Sequence, residues 1–147
     1  MRSNAELSAL LRDLRPVLLP SEYVFCSIEA DRIAECLSLR PLATFREAEG
    51  LSAVLQRREA DAQGFLYDST HRCITLTVHS SLTAVGLTAA VATALAAEGM
   101  SANVVAAHTH DHVFVPSADA ERGLAVLKKL SAEATGRTPL ARSNRPA

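Results

Sequence analysis

The 147-residue chain has no tryptophan, and only 4% of its residues are aromatic. That leaves no row of flat side chains on which nucleic-acid bases would stack. It also leaves the core to Leu, Val and Ala, drawn from a hydrophobic fraction of 48%, which is usual for a globular chain. Charge of one sign is missing as well. The formal net charge is -1, whereas phosphate binding requires a basic surface, so no nucleic-acid partner is expected. Cys26, Cys36 and Cys73 form no C-x-x-C pair. An odd, widely spaced set fits a reduced, cytoplasmic protein better than a disulfide scaffold. The N-terminal "MRSNAELSALL" lacks the continuous apolar region of a secretory signal. The longest apolar run, "LTAAVATALAAEG", is too short to span a bilayer, so no membrane partner is expected. No G-x-S-x-G, Walker-type loop, H-E-x-x-H or Rossmann fingerprint occurs. The reading is therefore non-enzymatic, with no catalytic residue and no cofactor.

What is present is patterned. In "SNAELSALLRDLRP", Leu7, Leu10, Leu11 and Leu14 recur at helical spacing. "EYVFCSIE" reads as a strand, and "LATFREAEGLSAVLQR" as a hairpin turning at Gly50. "READAQG" is a short helical turn, and "FLYD" a further strand. "HRCITLTVHSS" alternates, with Ile74, Leu76 and Val78 on one face and Cys73, Thr75 and Thr77 on the other. "SSLTAVGLTAAVATALAAEG" reads as a helix capped by Ser80 or Ser81, followed by strands "SANVVAAH" and "DHVFVP" and a helix from "SADAERGLAVLKKL". The order of elements in the two halves repeats weakly. It predicts an α+β protein of two units that complete each other's antiparallel sheets, with residues 1–69 and 70–132 as the units and 133–147 as a flexible tail.

Across "ITLTVHSSLTAVGLTAAVATALAAEGMSANVVAAHTHDHVFVP" the chain resembles the ACT domain, whose fold is ferredoxin-like with βαββαβ order. "SEYVFCSIEA" and "ATFREAEGLSAVL" are similar to the first unit of short bacterial stand-alone proteins that carry two ACT-like units. The resemblance extends from Glu6 to Leu130. It implies kinship with the regulatory parts of aspartate kinases, where ACT units pair and bind amino acids at the pairing interface. It thus implies a small amino-acid-like ligand between the units, and a homodimer. Many ACT domains carry an acidic residue before the glycine of the first turn. Here "HSSLTAVG" puts His79, Ser80 and Ser81 in its place, so the ligand's identity does not carry over.

The candidate site is this first strand-to-helix turn. His79, Ser80 and Ser81, the backbone N–H groups near Val85, Gly86 and Leu87, and the hydroxyl of Thr88 are set to meet a ligand carboxylate at a helix N-terminus. Asn103, at the start of an apolar strand, adds an amide. The alternative reading makes the serines a cap, Gly86 a close-packing residue and Asn103 a backbone-bonded strand residue. Arg46 and Glu47, by the first-half hairpin, read as exposed turn charges.

"AAHTHDHVFVP" also holds His108, His110, Asp111 and His112. On one continuous strand the three imidazoles would share a face and suit Zn²⁺. The ACT-like order requires a reversal at Thr109 to Asp111 instead, with His110 exposed at its tip. Two other functions stay open at this point: a ligand-free interaction or dimerisation module, and a metal-binding protein using the His108–His112 cluster.

Overall fold

The leucines of helical spacing do form a helix. In the computed structural model, which describes residues 2–136, α1 spans Arg2–Arg12. Leu14 is fully buried, and Arg15, at φ +44°, turns the chain into β1 (Pro16–Ile28). The β-former run predicts a strand only from Glu22. The earlier stretch was hidden by its prolines, which cannot donate to a ladder. Pro16 opens the strand, and Pro20 falls in a bulge, since Leu18 pairs with Ile74 but Glu22 with Arg72. The Arg72 guanidinium donates to the carbonyl of Leu19 in that bulge, at 2.7 and 3.2 Å.

After β1 come a 3-10 turn, Ala30–Arg32, and α2 (Ile33–Ser38), which periodicity did not reveal. The hairpin expected around Gly50 is β2 (Ala43–Glu47) and β3 (Gly50–Gln56). Next are α3 (Arg57–Gln63), β4 (Thr70–Leu76), α4 (Leu87–Ala97), β5 (Asn103–Ala106), β6 (Asp111–Pro116) and α5 (Ala120–Ala134). "FLYD" is not a strand. The expected tail begins at residue 133, but α5 continues through Ala134; from residue 137 on, the tail lies outside the described residues.

The strands form one six-stranded sheet in the order β2-β3-β1-β4-β6-β5, and every neighbouring pair is antiparallel. β1, α2, β2, β3, α3 and β4 follow the βαββαβ order of a ferredoxin-like unit. β4, α4, β5, β6 and α5 begin a second such unit, and β1, beside β4, completes it. β1 and β4 therefore serve both units, and the two expected sheets are one.

One face of the sheet carries the helices over two aliphatic cores. Val24, Cys26, Leu55, Cys36 and Ala60 build one with Phe65. Leu14, Ile74, Leu76, Val91, Leu95, Val113, Val115 and Leu127 build the other. The opposite, helix-free face holds a third cluster of Tyr23, Val54, Cys73 and Phe114. Phe25 packs edge-on against Phe114 and His71, with centroids 5.2 and 5.1 Å away. The expectation of a purely aliphatic core is thus corrected. The few aromatics concentrate where no helix covers the sheet and large rings can shield it. The sheet curls around them. Val105 of the edge strand β5 shares an apolar hollow of about 130 Å³ with Phe45 and Ala43 of the other edge strand, β2.

Candidate functional site

The end of β4 is stitched to the joint between α1 and β1. Thr77 donates its hydroxyl to the Arg15 carbonyl at 2.8 Å, and Val78 N–H reaches the Leu14 carbonyl at 3.4 Å. Beyond Val78, residues 79–86 are irregular. Ser81 Oγ lies 2.8 Å from Thr83 Oγ1 and accepts from Thr83 N–H at 3.2 Å. Such local bonds compete with helix formation. The helix expected from Ser80 or Ser81 accordingly begins only at Leu87, with Gly86 as its N-cap at φ +103°.

Four of the expected site residues meet. Ser80, Ser81, Leu87 and Thr88 line a small cleft of about 50 Å³ with Ala106 and Asp111. That is room for a few waters. Val85 projects into solvent, 75% exposed. His79 lies outside the cleft, with its ring 5.0 Å from that of His110. Gly86 faces α1: a Cβ there would stand 2.9 Å from Leu7 Cδ2. The close approach its missing side chain permits is therefore to Leu7. A bulky residue at position 86 would disturb the fold, because the left-handed backbone and the Leu7 contact both oppose it. Asn103 is exposed at the start of β5, and it is the other end of that strand, Ala106, that pairs with Asp111 beside the cleft. Three residues of strand, about 10 Å, separate it from that end.

The histidines also diverge. The reversal is closed by Ala107 N–H donating to the His110 carbonyl at 3.1 Å, and Asp111 is the buried first residue of β6. The expected Thr109-to-Asp111 turn thus sits slightly earlier in the chain, because Asp111 is claimed by the ladder with Leu76. His108 is exposed at the turn, whereas His110 is half-buried, with Nδ1 3.4 Å from the Val78 carbonyl. His112 lies on the helix-free face, its Nδ1 3.0 Å from Thr75 Oγ1. Burial and the neighbouring His110 push its pKa down, against a smaller opposing pull from Asp111. Burial alone does the same to His71. Among the described residues no group of His, Cys, Asp or Glu is gathered to hold a metal ion. Cys26, Cys36 and Cys73 are all buried and free, and burial pushes the Cys73 thiol up to about 11. Such thiols are inert packing groups.

A larger hollow went unread in the sequence. A groove of about 360 Å³ runs between α1 and the start of the 77–86 segment, lined by Glu6, Leu10, Asp13, Arg15, Val78 and His79. The signal for it was the polar face of α1. Glu6 and Asp13 stand seven residues apart, two helical turns, and so share one side.

ACT-domain family profiles match residues 3–72 and 68–129. The chain belongs to the ACT-domain family. A Vibrio cholerae protein of unknown function, described as a possible transport protein, has a similar structure with TM-score 0.79 and 44% identity, over 88% of this chain and 98% of that one. An Agobacterium tumefaciens protein aligns with TM-score 0.62 and 19% identity, over 79% of this chain and 87% of that one. The ligand-free regulatory subunit of aspartate kinase from Thermus thermophilus aligns with TM-score 0.60 and 11% identity, over 78% and 95%. At such identity the last two likenesses speak to fold alone. No curated protein matches the sequence. Together these findings make the chain an ACT-domain protein of two units. Among the described residues no helix is long and apolar enough to cross a membrane.

Proposed function

We propose that this ACT-domain protein is a non-catalytic cytoplasmic regulator that binds a small amino-acid-like ligand through residues 77–88, where its two units meet. One observation carries the reading. The first family match ends in β4, and the second contains the turn that follows β4; that turn is bonded back to Arg15 of the first match. A ligand held there contacts both units and biases how they sit, which is what regulation requires. The hydroxyls of Ser80, Ser81 and Thr88 lie on one side of the turn and His79 on the other. Three free buried thiols support a reducing compartment.

The test is thermal unfolding of the full chain with each proteinogenic amino acid at millimolar concentration, followed by amide hydrogen exchange. The expected result is a raised Tm with one chemical class and slower exchange across residues 77–88. No rise with any amino acid rejects the reading. A second reading then gains, an interaction module that pairs without ligand. It is favoured by Phe45, 74% exposed on the helix-free face of an edge strand, and native mass spectrometry of apoprotein as a dimer would support it.

A further inference from the structure

We infer that the groove between α1 and the turn after β4 is the seat of a free amino acid, its α-carboxylate held by Arg15 and its α-ammonium by Glu6 and Asp13. The inference rests on the amino-acid reading above and adds the seat and the two ligand groups it recognises.

Size points to the groove first. It offers about 360 Å³ against about 50 Å³ in the neighbouring cleft. Pockets that enclose small molecules begin at roughly 300 Å³. Charge points the same way. Glu6 on α1 and Asp13, which follows its last residue and still donates its N–H to the Ala9 carbonyl, line one side of the groove with Ala9 and Leu10 between them, and Arg15 lies two residues further on. No ion pair among the described residues engages any of the three. A lone anion would meet two carboxylates here, and a lone amine would meet the guanidinium. A molecule bearing both charges answers each group with its opposite, and bonds between ionised partners are the stronger kind.

The backbone supports this placement. Among the described residues Arg15 is one of two non-glycine residues with positive φ, at +44°, and its carbonyl takes the Thr77 hydroxyl at 2.8 Å. The same bond therefore ties Arg15 to the turn that forms the opposite wall. Leu10, Ala9 and Val78 give the groove its apolar lining, and no Phe or Tyr ring lines it. A short aliphatic side chain fits that lining.

The experiment is calorimetry of the full chain with glycine, alanine, serine, valine and leucine, each also as its methyl ester and its N-acetyl derivative. The ester lacks the carboxylate and the acetyl form lacks the ammonium. The expected result is binding of at least one free amino acid and a loss of about tenfold or more for each blocked form. Arg15→Asn, a residue that tolerates left-handed backbone, should weaken the free amino acid but not its ester. Asp13→Asn and Glu6→Gln should weaken the free amino acid but not its acetyl form. The latter two substitutions lie on exposed positions, Glu6 on α1 and Asp13 just past its end, and carry the test alone should Arg15→Asn fail to fold. If the free amino acid binds these variants as it binds wild type, while Ser81→Ala or Thr88→Val abolishes binding, the groove is the wrong seat and the regulatory reading stands. If no proteinogenic amino acid binds the wild type, both fail.

Discussion

The two strand-to-helix junctions at corresponding places in the two units are built in opposite ways. After β1 the chain enters α2 through one 3-10 turn, and Arg32 welds it. Its guanidinium donates to Glu35 at 2.8 and 2.9 Å and to the Gln63 carbonyl at 2.7 Å, and it lies 3.9 Å over the Phe65 ring. The Arg32 bonds hold the Glu35 carboxyl below the usual carboxylate range. After β4 the chain wanders through residues 79–86, held inside that stretch by the Ser81–Thr83 contacts and by Ala84 N–H donating to the Ser81 carbonyl at 3.0 Å, and pinned at its ends by Thr77 and by Gly86 under Leu7. One junction has its cation spent on holding itself together. The other leaves hydroxyls and the His79 imidazole at hollows and keeps Arg15 out of any ion pair among the described residues. Segments that bind are drawn from the loosely held parts of a fold. The contrast gives the first junction a structural role and supports the recognition proposed for the second.

The largest test of that contrast is Gly86→Val. It places a β-branched side chain at φ +103° and a Cβ 2.9 Å from Leu7. The expected loss is roughly 2–4 kcal/mol in urea melts, from backbone strain and overpacking together. In a Leu7→Ala background the substitution should cost less, because only the strain remains. An unchanged melt would mean that α1 does not pin the open junction at all.

Next comes Arg32→Ala, which removes the weld. Its ion pair is partly exposed, so solvent screening discounts it. The stacking on Phe65 and the bond to the Gln63 carbonyl remain to be lost, and the expected cost is about 1–2 kcal/mol. Hydrogen exchange should quicken at residues 28–33 and 63–66 and stay unchanged at 77–88. Faster exchange at both junctions would mean that they move together and that the contrast is false.

The sequence showed the framework of both junctions and little of their difference. Alternation in "ITLTV" and the leucine spacing of α1 survive folding because burial on one face dictates them. The ACT resemblance supplied the element order. Three things were not legible. The first half of β1 hid behind Pro16 and Pro20, because a bulge absorbs the missing donor there. The start of α4 was misplaced because Ser80 and Ser81 are good caps, and no local rule reveals that Gly86 will be left-handed under a leucine from a distant helix. The groove was missed because it is made by two segments far apart in sequence, α1 and the turn after β4, joined by the bonds of Thr77 and Val78 to Arg15 and Leu14.

A smaller effect separates the two junctions by pH. His112 pairs with Thr75 on β4, the strand that ends at the open junction, and burial lowers its pKa below the ordinary 6.5. His71, packed against Phe25, is lowered for the same reason. In the unfolded chain both regain the ordinary value and bind protons first as pH falls. Their contribution is therefore full above about pH 6.5 and is lost as pH drops toward the folded values. Urea melts should show stability declining below that pH. His112→Gln should flatten the decline in part, and hydrogen exchange near residues 107–112 should lose its acid sensitivity. An undiminished decline in His112→Gln would assign the effect to His71 and to the far end of the sheet.

The smallest expected effect decides the most about the open junction. His110 reaches from the β5–β6 turn to the 77–79 segment, through its ring on His79 at 5.0 Å and the long contact to the Val78 carbonyl at 3.4 Å. A contact of 3.4 Å is at the weak end of hydrogen bonding, and His79 is exposed. If the junction is loosely held, His110→Ala should shift stability by no more than about 0.5 kcal/mol, as surface substitutions do. Exchange at residues 78–81 should still quicken, since these contacts tie the turn to the segment. A loss above about 1.5 kcal/mol would reveal a weld like that of Arg32, formed by two imidazoles instead of a guanidinium. The junction would then be structural on both sides of the molecule, and the basis for placing recognition there would be gone.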